Sequence, residues 1–207
     1  MQKINSENKI PFQVDGKMQV CIFESEKQAR ELKNNLLLPI KQIHESNIVF
    51  IKDGKENLYN IDGLITDQEA FSLGIKTSDC AAVCLADDEK IGILHIGWRG
   101  LLNDIFEKAL SNFNKEKLTV YVAPFLHEFE IQRDFCFDAL SSKFGEKFFE
   151  EKEGKLFFMF KNALESILPG HAFWDSRNMK EDLSLPSNRR GDKYNFVTTV
   201  EFIKENE

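Results

Sequence analysis

A chain of 207 residues with 42% hydrophobic side chains, 29% charged side chains and only 5 prolines has the composition of an ordinary globular protein rather than a disordered or fibrous one. Its 27 basic and 34 acidic residues give a net charge of −7, a field that repels a phosphate backbone, so nucleic acid is excluded as a partner. No apolar run approaches the roughly 20 residues that cross a bilayer, and the N-terminus MQKINSENKI lacks the apolar stretch of a signal peptide, so the expectation is a cytoplasmic protein with no membrane association.

The first strand expected is 18–24, alternating and rich in strand-forming residues, followed by a short helix over 26–34. Strands are then predicted at 47–52, 71–77, 81–86 and 91–96. Helical spacing begins at 101–113, where Leu101, Ile105 and Ala109 form one row and Leu102, Phe106, Leu110 and Phe113 the next, leaving Asp104, Glu107 and Lys108 to solvent. A strand at 118–123 precedes a helix that Asp134 can N-cap, running to about residue 150 with Phe137, Leu140, Phe144 and Phe148 on its buried face. A third helix over 156–168 stops at Pro169-Gly170, and a last strand covers 195–203. No repeat, low-complexity tract or linker divides the chain. Strands interspersed with helices therefore predict a single-domain α/β (α+β) layered sandwich over 1–207, with mixed sheets covered by helices and one core.

Two of the four histidines occupy informative places: His44 in PIKQIHESNIVFI, and His95 at the end of an apolar strand before Gly97-Trp98-Arg99-Gly100. A strand-to-helix turn beside His95 offers backbone amides and a helix dipole to an anion, and Arg99 adds a cation. Cys80 closes TSDC just ahead of the apolar strand AAVCLAD, with Asp79 beside it as a residue able to orient a ligand. Asp62 in DGLITD suits a turn, and Trp98 can stack on a base or pack beneath its loop. The cysteines Cys21, Cys80, Cys84 and Cys136 form no CxxC pair and are expected as thiols, three of them packed as small hydrophobes. The spacings from His44 to Cys80 to His95 match no compact structural zinc pattern, so any site these three share has to be assembled by the fold.

The segments KQIH, DGLITD, TSDCAAVCLAD, GILHIGWRG and VAPFLHEFEI, in this order between Lys41 and Ile131, resemble the family labelled multicopper polyphenol oxidase or laccase-domain proteins, which includes YfiH and the peptidoglycan editing factors. SNRRGDKYNF resembles a remnant of its basic C-terminal motif. The resemblance implies a CNF1/YfiH-like fold and a catalytic zinc held by the residues that match the family ligands, His44, Cys80 and His95. It also implies cleavage of adenosine, inosine or methylthioadenosine, small purine nucleosides, with phosphate as co-substrate, and in some relatives deamination of adenosine; the expected state is a monomer. Two imidazoles and one thiolate agree with this, because three protein ligands leave the fourth tetrahedral position of zinc open. Arg99 and Arg190, with Arg189, are the candidate substrate-binding cations, since a guanidinium presents paired planar donors to an oxyanion.

The chain departs from the family pattern in lacking the arginine and glycine-rich turn of the N-terminal segment, in reading APFLH where relatives have GPAIG, and in lacking the downstream cysteine and the TGR ending. A multicopper oxidase is rejected, because such a centre needs on the order of ten histidines and the chain has 4, so zinc rather than copper is the expected metal and phenol oxidation would need adventitious copper at the same three ligands. Two alternatives share the same residues: a metal-free amide hydrolase editing peptidoglycan precursors, with Cys80 as nucleophile and His95 as base, and a non-catalytic binding protein.

Overall fold

Residues 81–86 read Ala-Ala-Val-Cys-Leu-Ala, without a polar side chain on either face, and a strand of that kind has to be covered on both sides. The computed structural model, which describes residues 12–203, covers it with three further layers. The polar N-terminal decapeptide lies outside the described residues. In chain order the strands are β1 (Phe12–Val14), β2 (Met18–Phe23), β3 (Leu36–Leu37), β4 (Ile48–Ile51), β5 (Gly63–Thr66), β6 (Ser72–Thr77), β7 (Ala81–Ala86), β8 (Ile91–Ile96), β9 (Thr119–Val122), β10 (Phe129–Ile131), β11 (Phe149–Lys152), β12 (Lys155–Phe158), β13 (Phe173–Trp174) and β14 (Phe196–Phe202). The helices are α1 (Glu26–Leu32), α2 (Trp98–Leu102), α3 (Ile105–Leu110), α4 (Phe135–Phe144) and α5 (Phe160–Ile167).

A six-stranded mixed sheet in the order β13-β9-β7-β8-β5-β4 forms the centre. On one face Val83, Leu85, Leu94, Val120 and Val122 meet Leu101, Ile105, Phe106 and Ala109 of α2 and α3 and Phe160, Ala163 and Leu164 of α5. On the other, Ala82, Cys84, Ile91 and Ile93 meet Met18, Val20, Leu73, Ile75 and Val200 of a five-stranded sheet ordered β1-β2-β14-β6-β3. The outer face of that second sheet is covered by Ala29 of α1 over Cys21, Phe23 and Val197. A small antiparallel sheet, β10-β12-β11, joins the helical layer through Phe158. The order of layers is thus helix, sheet, sheet, then helices with the small sheet, which is the layered α/β sandwich of mixed sheets that the alternation of periods predicts. Among the described residues no helix is long and apolar enough to cross a membrane, and all four cysteines are free thiols.

Three predicted helices are shorter than their periodicity. The spacing at 101–113 predicts one helix, and the chain forms two, because Asp104 adopts the left-handed conformation (φ 55°) that Asp and Asn tolerate best among non-glycine residues. Lys143 caps the break, donating to Leu101 O and Leu102 O and pairing with Asp104, so the apolar rows still face the core. Helix α4 begins at the Asp134 cap, whose side chain accepts from Cys136 N, but ends at Gly145 rather than near 150. Glu146–Phe148 form a single 3-10 turn, and Phe149 onward with the first part of 156–168 form the hairpin β11–β12, with register Lys152↔Lys155 and positive φ at Glu153 (52°) and Gly154 (73°), the geometry of a type I′ turn. Strand β5, completely buried, is absent from the periodicity because DGLITD reads as a turn.

Candidate metal centre and its cleft

Period two places two of the candidate ligands. His95 follows Ile93 by two residues in β8, its partner across the ladder is Ala82, and Cys80 precedes Ala82 by two. Both therefore continue the face that Ile93 and Ala82 turn toward the five-stranded sheet. Gly97 lies across from Cys80: a Cβ there would stand 3.0 Å from the Cys80 sulfur and 3.6 Å from His44 Cδ2, so glycine is what lets thiol and ring approach this backbone.

His44 arrives from a loop in the left-handed conformation (φ 62°), and a single carboxylate builds that loop. Asp62, fully buried, accepts the amides of His44 (2.9 Å), Glu45 (3.0 Å) and Ile43 (3.3 Å). Its Oδ1 also stands 2.8 Å from His95 Nδ1. An ionised carboxylate only accepts, so His95 carries its proton on Nδ1 and keeps Nε2 as the ligand atom, the arrangement found behind metal-bound histidines. The His44 and His95 rings meet edge to face at 4.6 Å, and the ligand atoms of His44, Cys80 and His95 all lie within 4.8 Å of one another. A donor set of two imidazoles and one thiol at this spacing, with its outer hydrogen bonds already made, fits a metal ion of the zinc type.

Without a metal the electrostatics favour a Cys80 thiolate beside a His95 imidazolium, whose Nε2 proton a metal would displace. Burial pushes the Cys80 thiol up, but hydrogen bonds to His44 and His95 and their positive charge outweigh it and hold the group at about 6. Burial would lower His95, and its bonds to Asp62 and Cys80 instead raise it to about 9. Burial raises Asp62, but the His95 ring and the loop amides hold it below the usual carboxylate range.

These groups open onto a cleft of about 560 Å³. Its other wall comes from Lys76, Thr77, Asp79, Phe129, Asn188, Arg189 and Asn195, with Trp98 at one side. Asp79 holds that wall, accepting from the Ser187 hydroxyl (2.6 Å) and the Arg189 amide (3.1 Å), while Ser78 donates to Pro186 O and accepts from Asn188 N. The Arg189 guanidinium lies 4.7 Å over Phe129. Of the two basic residues lining the cleft, Lys76 spends its ammonium on Glu26 (3.2 Å), which leaves Arg189 as the cation available to a ligand. Arg99, exposed and stacked 5.1 Å over Trp98, is not among the lining residues, and Arg190 spends its guanidinium on Met179 O, Leu185 O and Asp192. The helix expected behind His95 is α2, only 5 residues long, so its dipole is that of a short turn. The sequence carries no direct sign of Asp62 as the shared anchor of both histidines, since that depends on which strand ends meet.

A layered α/β fold that sets a His–Cys–His trio at the base of a nucleoside-sized cleft defines a distinct class of candidate metalloprotein. The sequence model of the family described as multi-copper polyphenol oxidoreductase laccase matches residues 19–173, and the chain belongs to that family. A protein of Aquifex aeolicus named purine nucleoside phosphorylase is 28% identical over 172 residues, covering 76% of this chain and 78% of that protein. One of Clostridium acetobutylicum with the same name is 33% identical over 129 residues, covering 56% of this chain and 53% of its own. Among solved structures, a Neisseria meningitidis protein is similar with a TM-score of 0.77 at 16% identity, covering 90% of this chain and 95% of that one. Bacillus licheniformis YfiH is similar with a TM-score of 0.74 at 20% identity, covering 90% and 93%. These two establish the fold.

Proposed function

We propose that the protein is a cytoplasmic, zinc-dependent purine nucleoside phosphorylase that splits adenosine, inosine or methylthioadenosine with phosphate into free base and sugar 1-phosphate. The observation that carries this is the convergence of His44, Cys80 and His95, oriented by Asp62, on a cleft whose volume suits a nucleoside. The names of the relatives support the reaction class.

Zinc, held by His44, Cys80 and His95, would supply Lewis acidity at the base of the cleft. The chain's own residues do the rest. Asp62 keeps His95 in one tautomer and His44 in its loop, so the three donors need no rearrangement. Trp98 and Phe129 provide flat apolar walls for a purine, and Arg189 provides positive charge for a phosphate dianion. The tests are chromatography of products from the zinc-loaded protein with and without phosphate. Free base and sugar 1-phosphate appearing only with phosphate is the expected result. Ammonia release with inosine formed from adenosine, independent of phosphate, would reassign the protein as a deaminase.

A second reading rests on one feature of the same site, the proximity of the Cys80 sulfur to a histidine ring nitrogen, which a metal-free thiol hydrolase also needs. Alkylation of Cys80 separates the two. Protection that chelator abolishes supports the metal; indifference to chelator, with turnover of an amide, supports the hydrolase.

A further inference from the structure

A hydroxyl buried without a partner costs about 1–3 kcal/mol, so a folded chain keeps one only where something outside the protein satisfies it or where packing leaves no choice. Among the described residues the buried side-chain atoms without a partner belong to Glu56, Asn60, Thr77, His127, Thr198 and Thr199. Thr198 and Thr199 sit within β14, registered against Ile75 and Gly74 of β6, and do not line the cleft. Thr77, only 2% exposed, is the one of these residues that lines the cleft.

Its position is fixed from both sides. Lys76, just before it, has its backbone amide and carbonyl clamped by the Gln42 carboxamide at 3.0 and 2.8 Å, while β14 pairs along the other edge of β6. Ser78, just after it, is tied to the 186–188 segment through both donor and acceptor of its hydroxyl. A β-branched side chain between two anchored neighbours has little rotamer freedom, so the hydroxyl is pre-positioned. Asn188 and Asn195, which carry carboxamides, line the same cleft. Neutral groups that both donate and accept suit hydroxyls of a sugar, which also donate and accept, better than they suit a charged group.

We propose that the Thr77 hydroxyl binds a sugar hydroxyl of the substrate and makes this protein selective for ribosides over their deoxy analogues. The inference rests on the nucleoside reading of the cleft. A site built around a hydrogen bond to a substrate hydroxyl rejects the analogue lacking it, because the protein partner is then left buried and unpaired.

The experiment compares zinc-loaded wild type, Thr77→Val and Thr77→Ser on inosine, 2′-deoxyinosine and 3′-deoxyinosine, reading kcat/KM with phosphate and calorimetric binding without it. Wild type is expected to prefer inosine over at least one deoxy analogue by about 10-fold or more, and Thr77→Val to lose that factor on inosine while changing the same analogue by less than about 2-fold. Thr77→Ser restores the preference. Thr77→Val should fold at least as stably as wild type, since it removes an unpaired hydroxyl. Equal loss on all three nucleosides would mark Thr77 as structural and overturn the proposal, as would unchanged selectivity. Binding of inosine that depends on Thr77, without turnover, would overturn the phosphorylase reading and leave this one standing. Turnover without dependence on Thr77 would do the reverse, and neither binding nor turnover would overturn both.

Discussion

The two walls of the cleft are each organised by one aspartate, and the two carboxylates work on different kinds of structure. Asp62, buried at the mouth of β5, gathers three amides of the His44 loop and the ring of His95 near the end of β8. Asp79, half-buried, gathers a hydroxyl and an amide from the turn around Ser187–Arg190, whose side chains are mostly exposed. The difference teaches that Cys80 and His95 are set at strand ends while His44 depends on a loop that Asp62 holds, whereas the Ser187–Arg190 turn across the cleft is tied through Asp79.

The sharpest way to break this comparison is to remove a ligand. Cys80→Ala is expected to lower turnover by on the order of 10³-fold or more while the melting temperature moves by less than about 4 °C, measured by product chromatography and thermal denaturation. Parallel loss of stability would mean that the metal wall is a structural staple. Asp62→Asn comes next, with metal affinity expected to fall by about 10–100-fold in a chelator competition titration, because the His95 proton loses its carboxylate acceptor.

On the recognition wall, Arg189→Ala is expected to raise the KM for phosphate by about 10-fold with metal affinity unchanged. Arg99→Ala, altering a residue stacked on Trp98 outside the lining, should change it by less than about 2-fold. An effect of Arg99 as large as that of Arg189 would place the phosphate on the far side of Trp98.

The smallest effect concerns a carboxylate remote from both walls. Burial pushes Glu201 up, but the hydrogen bonds of Lys33, Ser72 and Gln19 outweigh it and hold the group below its ordinary value. A depressed carboxylate stabilises the fold above its unfolded pKa of about 4.3 and loses that contribution as pH falls through the folded value. Glu201→Gln should therefore cost about 1–3 kcal/mol at neutral pH, with the gap to wild type closing below about pH 4, as followed by denaturant titration. Metal affinity of this variant should match wild type at neutral pH. A change in it would show that the α1 face and the cleft are coupled.

Much of this is legible in residue order alone. Strands β2, β4, β6, β7, β8, β9 and β14 follow from short apolar or alternating runs, because those side chains are buried whatever their partners are. The trio of His44, Cys80 and His95 is legible too, through motifs rather than spacing. The segment 149–158 is not: its phenylalanines suit a helix face or a strand equally, and the Glu153–Gly154 turn that decides between them is a weaker hairpin signal than Asn-Gly. Asp62 reads locally as a turn residue. Only the meeting of β5 with β8 brings its carboxylate under His95 and turns a loop-former into the group that orients the site. The same holds for the arginines, where residue type was evident and placement was not: Arg99, Arg189 and Arg190 have equal local claims on an anion, and the packing of Trp98, Phe129 and the 186–192 turn decides which one lines the cleft. Burial is a property a side chain carries by its chemistry, so sequence determined the layers of this protein. Convergence across long separations depends on strand pairing, so tertiary structure alone decided which charges face the metal trio.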